Sequence, residues 1–244
     1  MVMIELKNVS MIYPNGNAAL RNIDLTIEDN EFVFVVGQSG AGKTTLTKLL
    51  IAEERVSDGE MYINDFKMHR LRKYKIPKLR RSIGMVFQDF RLFDNKTVYE
   101  NVAFAMRVVG ARPSEIKKRV PHVLSLVGLA HRAKSYPDKM SGGERQRIAI
   151  ARALVNNPDI IIADEPTGNI DPEMSKAIFE LLMRINKMDK TIIVVTHDHN
   201  MVNYYNKRVI KIENGHIVSD IPAKAAPAPA EPEHADKEEE GAEQ

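Results

Sequence analysis

The sequence predicts a mostly parallel α/β core into which a helical lobe is set, and three observations carry that prediction. Near-continuous apolar runs such as "FVFVV" at 32–36 and "IIIA" at 160–163 have strand length and no polar alternation, as strands covered on both faces do. Between Phe87 and Pro158 helical periodicity replaces the strand signal. Elsewhere strands alternate with helical stretches, the order expected of an α/β core.

Taken in order, Ile4–Val9 is the first candidate strand and Phe32–Val36 the second. The second runs into "GQSGAGKT" at 37–44, which fits G-x-x-x-x-G-K-[ST], and "TLTKLLIA" after it can form a helix whose N-terminus binds anions. In such a P-loop the backbone N–H groups surround the α- and β-phosphates of a nucleotide, Lys43 reaches the β- and γ-phosphates, and Thr44 ligates Mg²⁺. A glycine turn with a chance lysine is the plainer reading. It does not account for the strand before the loop or the helix after it.

Ile83–Phe87 is the third strand, and "TVYENVAFAMRVVG" and "SEIKKRVPHVLSLVGL" read as helices. Residues 140–151, "MSGGERQRIAIA", begin a further helix in which Ser141 and Glu144 have capping-box spacing. Glycine costs roughly 1 kcal/mol relative to alanine inside a helix. Capping therefore leaves Gly142 and Gly143 unexplained, whereas bare N–H groups at a helix start make an anion site. A P-loop protein would then carry two phosphate cradles.

The strand Ile160–Asp164 ends on Asp164 and is followed by Glu165. A lone Asp-Glu pair at a strand end is usually a solvated corner. Beside a P-loop it reads as a Walker-B arrangement, with one carboxylate near Mg²⁺ and the next facing the γ-phosphate as general base. Ile192–Thr196 is the next strand, and "RVIKIENGHIVSD" reads as two strands joined at Asn214-Gly215.

A chain of 244 residues that is 43% hydrophobic can bury a sizeable core as one large domain or a domain with an inserted lobe. Its apolar runs fall far short of the roughly 18 residues of a membrane span. "MVMIELKNVS" has neither the basic nor the long apolar region of a secretory signal, so a cytosolic chain is expected. The absence of cysteine excludes disulfides, thiolate metal sites and cysteine nucleophiles. The net charge of +2 conceals an asymmetry: residues 223–244 carry Lys224 and Lys237 against seven carboxylates, net −5, which leaves +7 on the rest. With Ala, Pro and Glu dominant and no large apolar residue after Ile221, residues 222–244 are expected to be a disordered acidic tail.

Together these residues resemble the ABC ATPases. Walker A at Gly37–Thr44, a Q-loop glutamine at Gln88, a signature at Ser141–Glu144, Walker B through Asp164 and Glu165, a D-loop at Gly168–Asp171 and a switch histidine at His197 stand in family order. The resemblance covers the chain to about residue 221 and implies a P-loop NTPase core with an N-terminal antiparallel β region and a helical subdomain at about 89–157. It implies that ATP and Mg²⁺ are bound: Gly37, Gln38, Ser39, Gly40, Ala41, Gly42, Lys43, Thr44 and Thr45 hold the phosphates. Thr44, Gln88 and Asp164 hold the metal, and Tyr13 stacks on adenine. Glu165, with His197 and Gln88, is implied to carry hydrolysis, and Ser141, Gly142 and Gly143 to meet the ATP of a second copy, so that the chain works as a homodimer. The signature departs from the family's usual Leu-Ser-Gly-Gly-Gln at Met140 and Glu144. Capping geometry would turn the Glu144 carboxylate back to its own chain.

The stretches "VFQDFRLFDNKTVYENVAFAM", "MSGGERQRIAIARALVNNP" and "ADEPTGNIDPE" are most similar to the cell-division ATPases of that family. This implies an FtsX-like integral membrane partner, control of cell-wall hydrolysis, a place on the cytoplasmic face of the membrane, and room for other division proteins. Lipoprotein-release and macrolide-export ATPases share much of these stretches, so a transporter role stays open. Nucleic acid is the weaker alternative: the basic run "KMHRLRKYKIPKLRR" at 67–81 reads first as a solvated face or one near anionic lipid. Phe90, Leu92 and Phe93, just after Gln88, are either core or the lining of a groove for a partner helix.

Overall fold

The computed structural model describes residues 2–168 and 170–223, so the acidic segment from Lys224 onward lies outside the described residues. Two sheets form. β1 (Val2–Ile12), β2 (Ala18–Glu28), β4 (Asp58–Ile63) and β5 (Phe66–Lys67) make an antiparallel sheet of order β2-β1-β4-β5. β3 (Phe32–Val36), β6 (Ile83–Val86), β7 (Ile160–Asp164), β8 (Thr191–Val195), β9 (Arg208–Glu213) and β10 (His216–Ile221) make the second, of order β10-β9-β3-β8-β7-β6. In it β6, β7, β8, β3 and β9 are parallel and only β10 is antiparallel.

The unbroken apolar runs follow from what covers this sheet. Phe32, Phe34 and Val36 of β3 face one core cluster, while Val33 and Val35 face another. The first lies under the helices α3 (Val98–Val108), α4 (Pro113–Leu126), α5 (Gly142–Leu154) and α6 (Pro172–Asn186). The second is closed by the antiparallel sheet and by α1 (Lys43–Leu50). Every residue of β3 and of β8 is buried, so neither face tolerates a polar side chain. The smaller helices α2 (Ile76–Arg81) and α7 (His199–Tyr205) are the remaining α-helices among the described residues.

The expected α/β class is borne out, and the antiparallel region implied by resemblance is present. Helix starts follow local chemistry. Thr97 and Glu100 close a capping box on α3, Ser141 and Glu144 another on α5, and the Asp171 carboxylate accepts from the Met174 amide at the head of α6. Asn214 and Gly215, at φ 49° and 80°, join β9 to β10 as a two-residue hairpin, the turn their sequence predicts.

Candidate active site

The parallel strands deliver their C-terminal ends to one side, where a cleft of about 930 Å³ opens. Tyr13, Gly37 through Thr45, Gln88, Asp164, Glu165 and His197 all line it. Residues separated by more than 180 positions are thereby brought to one wall-to-wall cavity.

The loop between β3 and α1 is shaped by what glycine permits. A Cβ on Gly37 would stand 2.2 Å from the Ile212 carbonyl oxygen, and one on Gly42 2.6 Å from that of Ala19. Gly40 and Gly42 have φ of 79° and 113°, where side chains are strained. The loop ends on the N-terminus of α1, whose first turn holds no acidic residue, so its N–H groups and dipole face the cleft unopposed. The Lys43 ammonium donates to the Gly37 and Gln38 carbonyls at 2.6 and 3.0 Å. The Tyr13 hydroxyl lies 3.3 Å from that of Thr45, fixing the ring at the rim.

At the end of β7 the two carboxylates have different surroundings. Burial, and then the charge of Glu165, push the Asp164 carboxyl above its ordinary value, with Lys43 pulling the other way. Glu165 sits at φ 45°, a left-handed backbone that costs a non-glycine residue about 1–2 kcal/mol. Its amide donates to the Val195 carbonyl at 2.8 Å, and its Oε1 is 2.8 Å from His197 Nδ1. The strained turn thus aims a shielded carboxylate at an exposed imidazole, and strain held in this way clusters at functional sites. Gln88 reaches across to the turn after Glu165: a Cβ on Gly168 would lie 2.9 Å from Gln88 Nε2.

This donor set fits ATP with Mg²⁺. Among the described residues no group of three or more His, Cys, Asp or Glu could hold a metal by itself. One half-buried carboxylate, a threonine hydroxyl and a glutamine beside a glycine-rich loop are what Mg²⁺ uses when phosphates supply the remaining oxygens.

Ser141, Gly142 and Gly143 do not line this cleft. The Ser141 Oγ accepts from the Glu144 amide at 3.2 Å, and Glu144 Oε2 accepts from the Ser141 amide at 3.0 Å. Glu144 Oε1 also meets Arg132 Nε at 3.4 Å. The departure from the usual glutamine is therefore folded back onto its own chain, as its capping geometry requires. Gly143 has a reason inside the molecule: a Cβ there would lie 2.0 Å from Met174 Cγ of α6. Ser141 is exposed and Gly142 half-buried, so both stay reachable from outside.

Several cleft residues escaped the sequence reading. Asn17, Ala18, Ala19 and Arg21 from the start of β2, and Asn214 with Gly215 from the hairpin, complete the lining. The Gly215 amide donates to the Ala41 carbonyl at 3.0 Å, and its carbonyl accepts from the Arg21 amide at 2.8 Å. The last hairpin therefore braces the phosphate loop. Proximity of Asn214-Gly215 to a loop some 170 residues earlier leaves no local signal.

The junction after Gln88 separates the three apolar candidates. Phe90 and Arg91 both have positive φ, and the Arg152 guanidinium of α5 donates to both their carbonyls. The Phe90 ring lies under Arg145, and Leu92 packs against the core. Of the three only Phe93 faces a groove, about 540 Å³, with Phe104 and Val108 from α3, Ile76 and Pro77 from α2, and Phe87 just after β6.

The fold and the cleft define the class: a match to the ABC transporter family spans residues 20–168, and the chain belongs to that family as one of its ATP-hydrolysing cassettes. Over 218 residues, 89% of this chain and 96% of the relative, it is 52% identical to the cell division ATP-binding protein FtsE of Bacillus subtilis (strain 168). To the FtsE of Streptococcus pneumoniae serotype 2 (strain D39 / NCTC 7466) it is 49% identical over 220 residues, covering 90% and 96% of the two chains. The solved dimer of the ATP-binding cassette MJ0796, in a post-hydrolysis state bound to ADP and Pi, superposes with a TM-score of 0.81 at 36% identity over 92% of this chain and all of that one.

Proposed function

We propose that this chain is the ATPase of a cell-division complex, closing as a homodimer over two ATPs and working an FtsX-like integral membrane protein that controls cell-wall hydrolysis. One observation carries the reading. The cleft gathers the glycine-rich loop with Lys43, the Asp164 and Glu165 carboxylates and His197 from one chain, while Ser141 and Gly142 stand outside it at a helix N-terminus. A second copy presenting that N-terminus to the γ-phosphate completes the site, as dimeric relatives of this fold suggest.

Within the cleft, the loop amides of Gly37 to Thr45 and the Lys43 ammonium bind the β- and γ-phosphates, moving Lys43 off the carbonyls it now meets. Tyr13 positions the base. Thr44, Asp164 and Gln88 would hold Mg²⁺, which supplies charge neutralisation for the phosphates. Glu165 accepts the proton of the attacking water at its carboxylate, and His197, bonded to the same carboxylate, orients it and meets the γ-phosphate. Loss of the γ-phosphate shifts Gln88 and with it the junction that Arg152 holds, so the groove at Phe93 feels the state of the cleft. An apolar helix of the membrane partner fits that groove. The names of the FtsE relatives support an output in cell division, and no described helix is long and apolar enough to cross a membrane.

Glu165→Gln tests the reading, because an amide keeps the shape of the carboxylate and cannot take the proton. Turnover should fall at least a hundredfold, within the range of lost general-base catalysis. With ATP the variant should sediment as a dimer and, from solubilised membranes, bring down an FtsX-like protein. Wild-type turnover, or a monomer in saturating ATP, sinks the composite site; a co-purifying permease of lipids, lipoproteins or drugs would replace the division partner with a transporter.

A further inference from the structure

Beside the groove lies a surface to which the ATPase cycle assigns nothing. Residues 67–81 contain eight of the chain's 35 Lys and Arg and no Asp or Glu, and all eight cations are exposed. Ordinary surfaces intersperse the two signs. Here none of the eight makes an ion pair with a carboxylate among the described residues. Arg80 donates to the Ile51 and Ala52 carbonyls, and the Lys67 ammonium lies over the Tyr62 ring.

The segment is held down by its apolar positions. Met68 and Leu79 are buried in the core, and Leu71 packs half-buried against it. Between these anchors Arg72, Lys73, Lys75 and Lys78 point to solvent, and Tyr74 is 69% exposed. An exposed aromatic with a polar tip among cations suits the boundary between headgroups and water. The same segment is continuous with the groove, since Ile76, Pro77, Arg80 and Arg81 form one of its walls. A chain whose groove holds a membrane partner carries this face toward the bilayer.

We propose that residues 70–81 form a docking surface for anionic phospholipid headgroups, which orients the ATPase on the membrane beside its partner; the orientation, though not the lipid contact itself, rests on the groove reading above. The attraction is electrostatic, so it concerns headgroup charge rather than chain insertion. Each cation near an anionic surface contributes about fivefold in partition, and the effect fades as salt shortens the Debye length.

The test is co-sedimentation of the full chain with vesicles of phosphatidylcholine alone and of phosphatidylcholine with phosphatidylglycerol. Binding is expected only to the second, and is expected to fall steeply as salt rises. The combined variant Arg72→Glu, Lys73→Glu, Lys75→Glu and Lys78→Glu should bind these vesicles more than tenfold more weakly while binding ATP as before, since none of the four lines the nucleotide cleft. The four glutamine replacements should give an intermediate loss and guard against misfolding. Equal binding to neutral vesicles, or undiminished binding by the charge-reversed variant, overturns the proposal. So does double-stranded DNA that binds more tightly than the vesicles at the same salt and displaces them, which would make the face a nucleic-acid surface. Phe93→Glu separates the two readings: it should lose the membrane partner and keep the vesicles, so vesicle binding can fail while the groove reading stands.

Discussion

At the scale of single residues, the cleft keeps groups in states that the fold itself disfavours. Asp164 is half-buried at the end of β7, its carboxylate accepts no hydrogen bond among the described residues, and Glu165 is its neighbour in sequence. Its folded-state pKa lies above the ordinary 3.8. The sign follows: stability is highest where the group is protonated in both states, falls as pH rises from the ordinary value through the raised one, and stays lowered at neutral pH. Asp164→Asn should therefore raise the melting temperature of the nucleotide-free protein at neutral pH, and the gain should shrink as pH drops toward the usual carboxylate range. ATP turnover should be lost in the same variant, because the amide is a poor metal ligand. Thermal melts across pH decide it; a lower melting temperature at neutral pH would mean that the fold pairs this carboxylate. Residue identity, read beside the P-loop, singled out Asp164 and Glu165 as candidates. It gave no hint of the positive φ at Glu165, where the chain leaves the ladder with β8 and enters the turn closed by the Gly168 amide. Gly143 was half legible: two glycines at a helix start demanded a close neighbour, but Met174 becomes that neighbour only when α5 and α6 pack.

At the scale of elements, legibility followed the simplicity of the pattern. β3 and β7 coincide with the apolar runs, and β8 differs by one residue at each end, because a strand covered on both faces has an unbroken apolar sequence. β2 and β4 left no such run. The pairing of β1 with β2 shifts register between Leu6 and Val9 and again between Val9 and Met11, and each shift breaks the alternation by which a half-buried strand is recognised. With β2 unread, Arg21 and Ala19 could not be placed in the cleft. The β9–β10 hairpin was read correctly as an element, yet its work lies in what it touches. Gly215 has φ 80°, and a Cβ there would stand 2.9 Å from the Ala19 carbonyl oxygen. Gly215→Ala should weaken ATP binding about tenfold as well as destabilise the protein by about 1–3 kcal/mol, because the turn donates to Ala41 of the phosphate loop. Gly110→Ala is the control: its φ is 82° and nothing lies within 4 Å of the new Cβ. That variant should lose stability and keep its ATP affinity by calorimetry. Equal effects on affinity would mean that the hairpin is only a structural closure.

At the scale of the whole molecule, the proposed function divides each working site between the cleft of one copy and the start of α5 in another. The phosphate loop, Asp164 and Glu165 line the cleft, while Ser141 begins α5 and stays exposed away from it. α5 is also the helix whose Arg152 grips the carbonyls of Phe90 and Arg91. A phosphate met by the start of α5 in one copy is thus mechanically tied, within that copy, to the groove beside Phe93. Under the proposed function, closure of the dimer and movement of the membrane partner are expected to be one event rather than two. If each working site joins the cleft of one copy to the signature of another, two different defects should complement. Lys43→Ala removes the cradle's ammonium, and Ser141→Arg blocks the helix start with a bulky side chain; each variant alone has no intact composite site and should be inactive. When the two are mixed, the dimer of unlike chains pairs the sound cleft of the Ser141→Arg copy with the sound signature of the Lys43→Ala copy. Random pairing makes half of the dimers unlike, each with one of two sites intact, so roughly a quarter of wild-type turnover should return if the sites act independently. Less will return if both ATPs must be hydrolysable for closure to cycle. No recovery at any mixing ratio, with dimers of unlike chains verified by differential tagging, would place Ser141 and the cleft in service of the same copy.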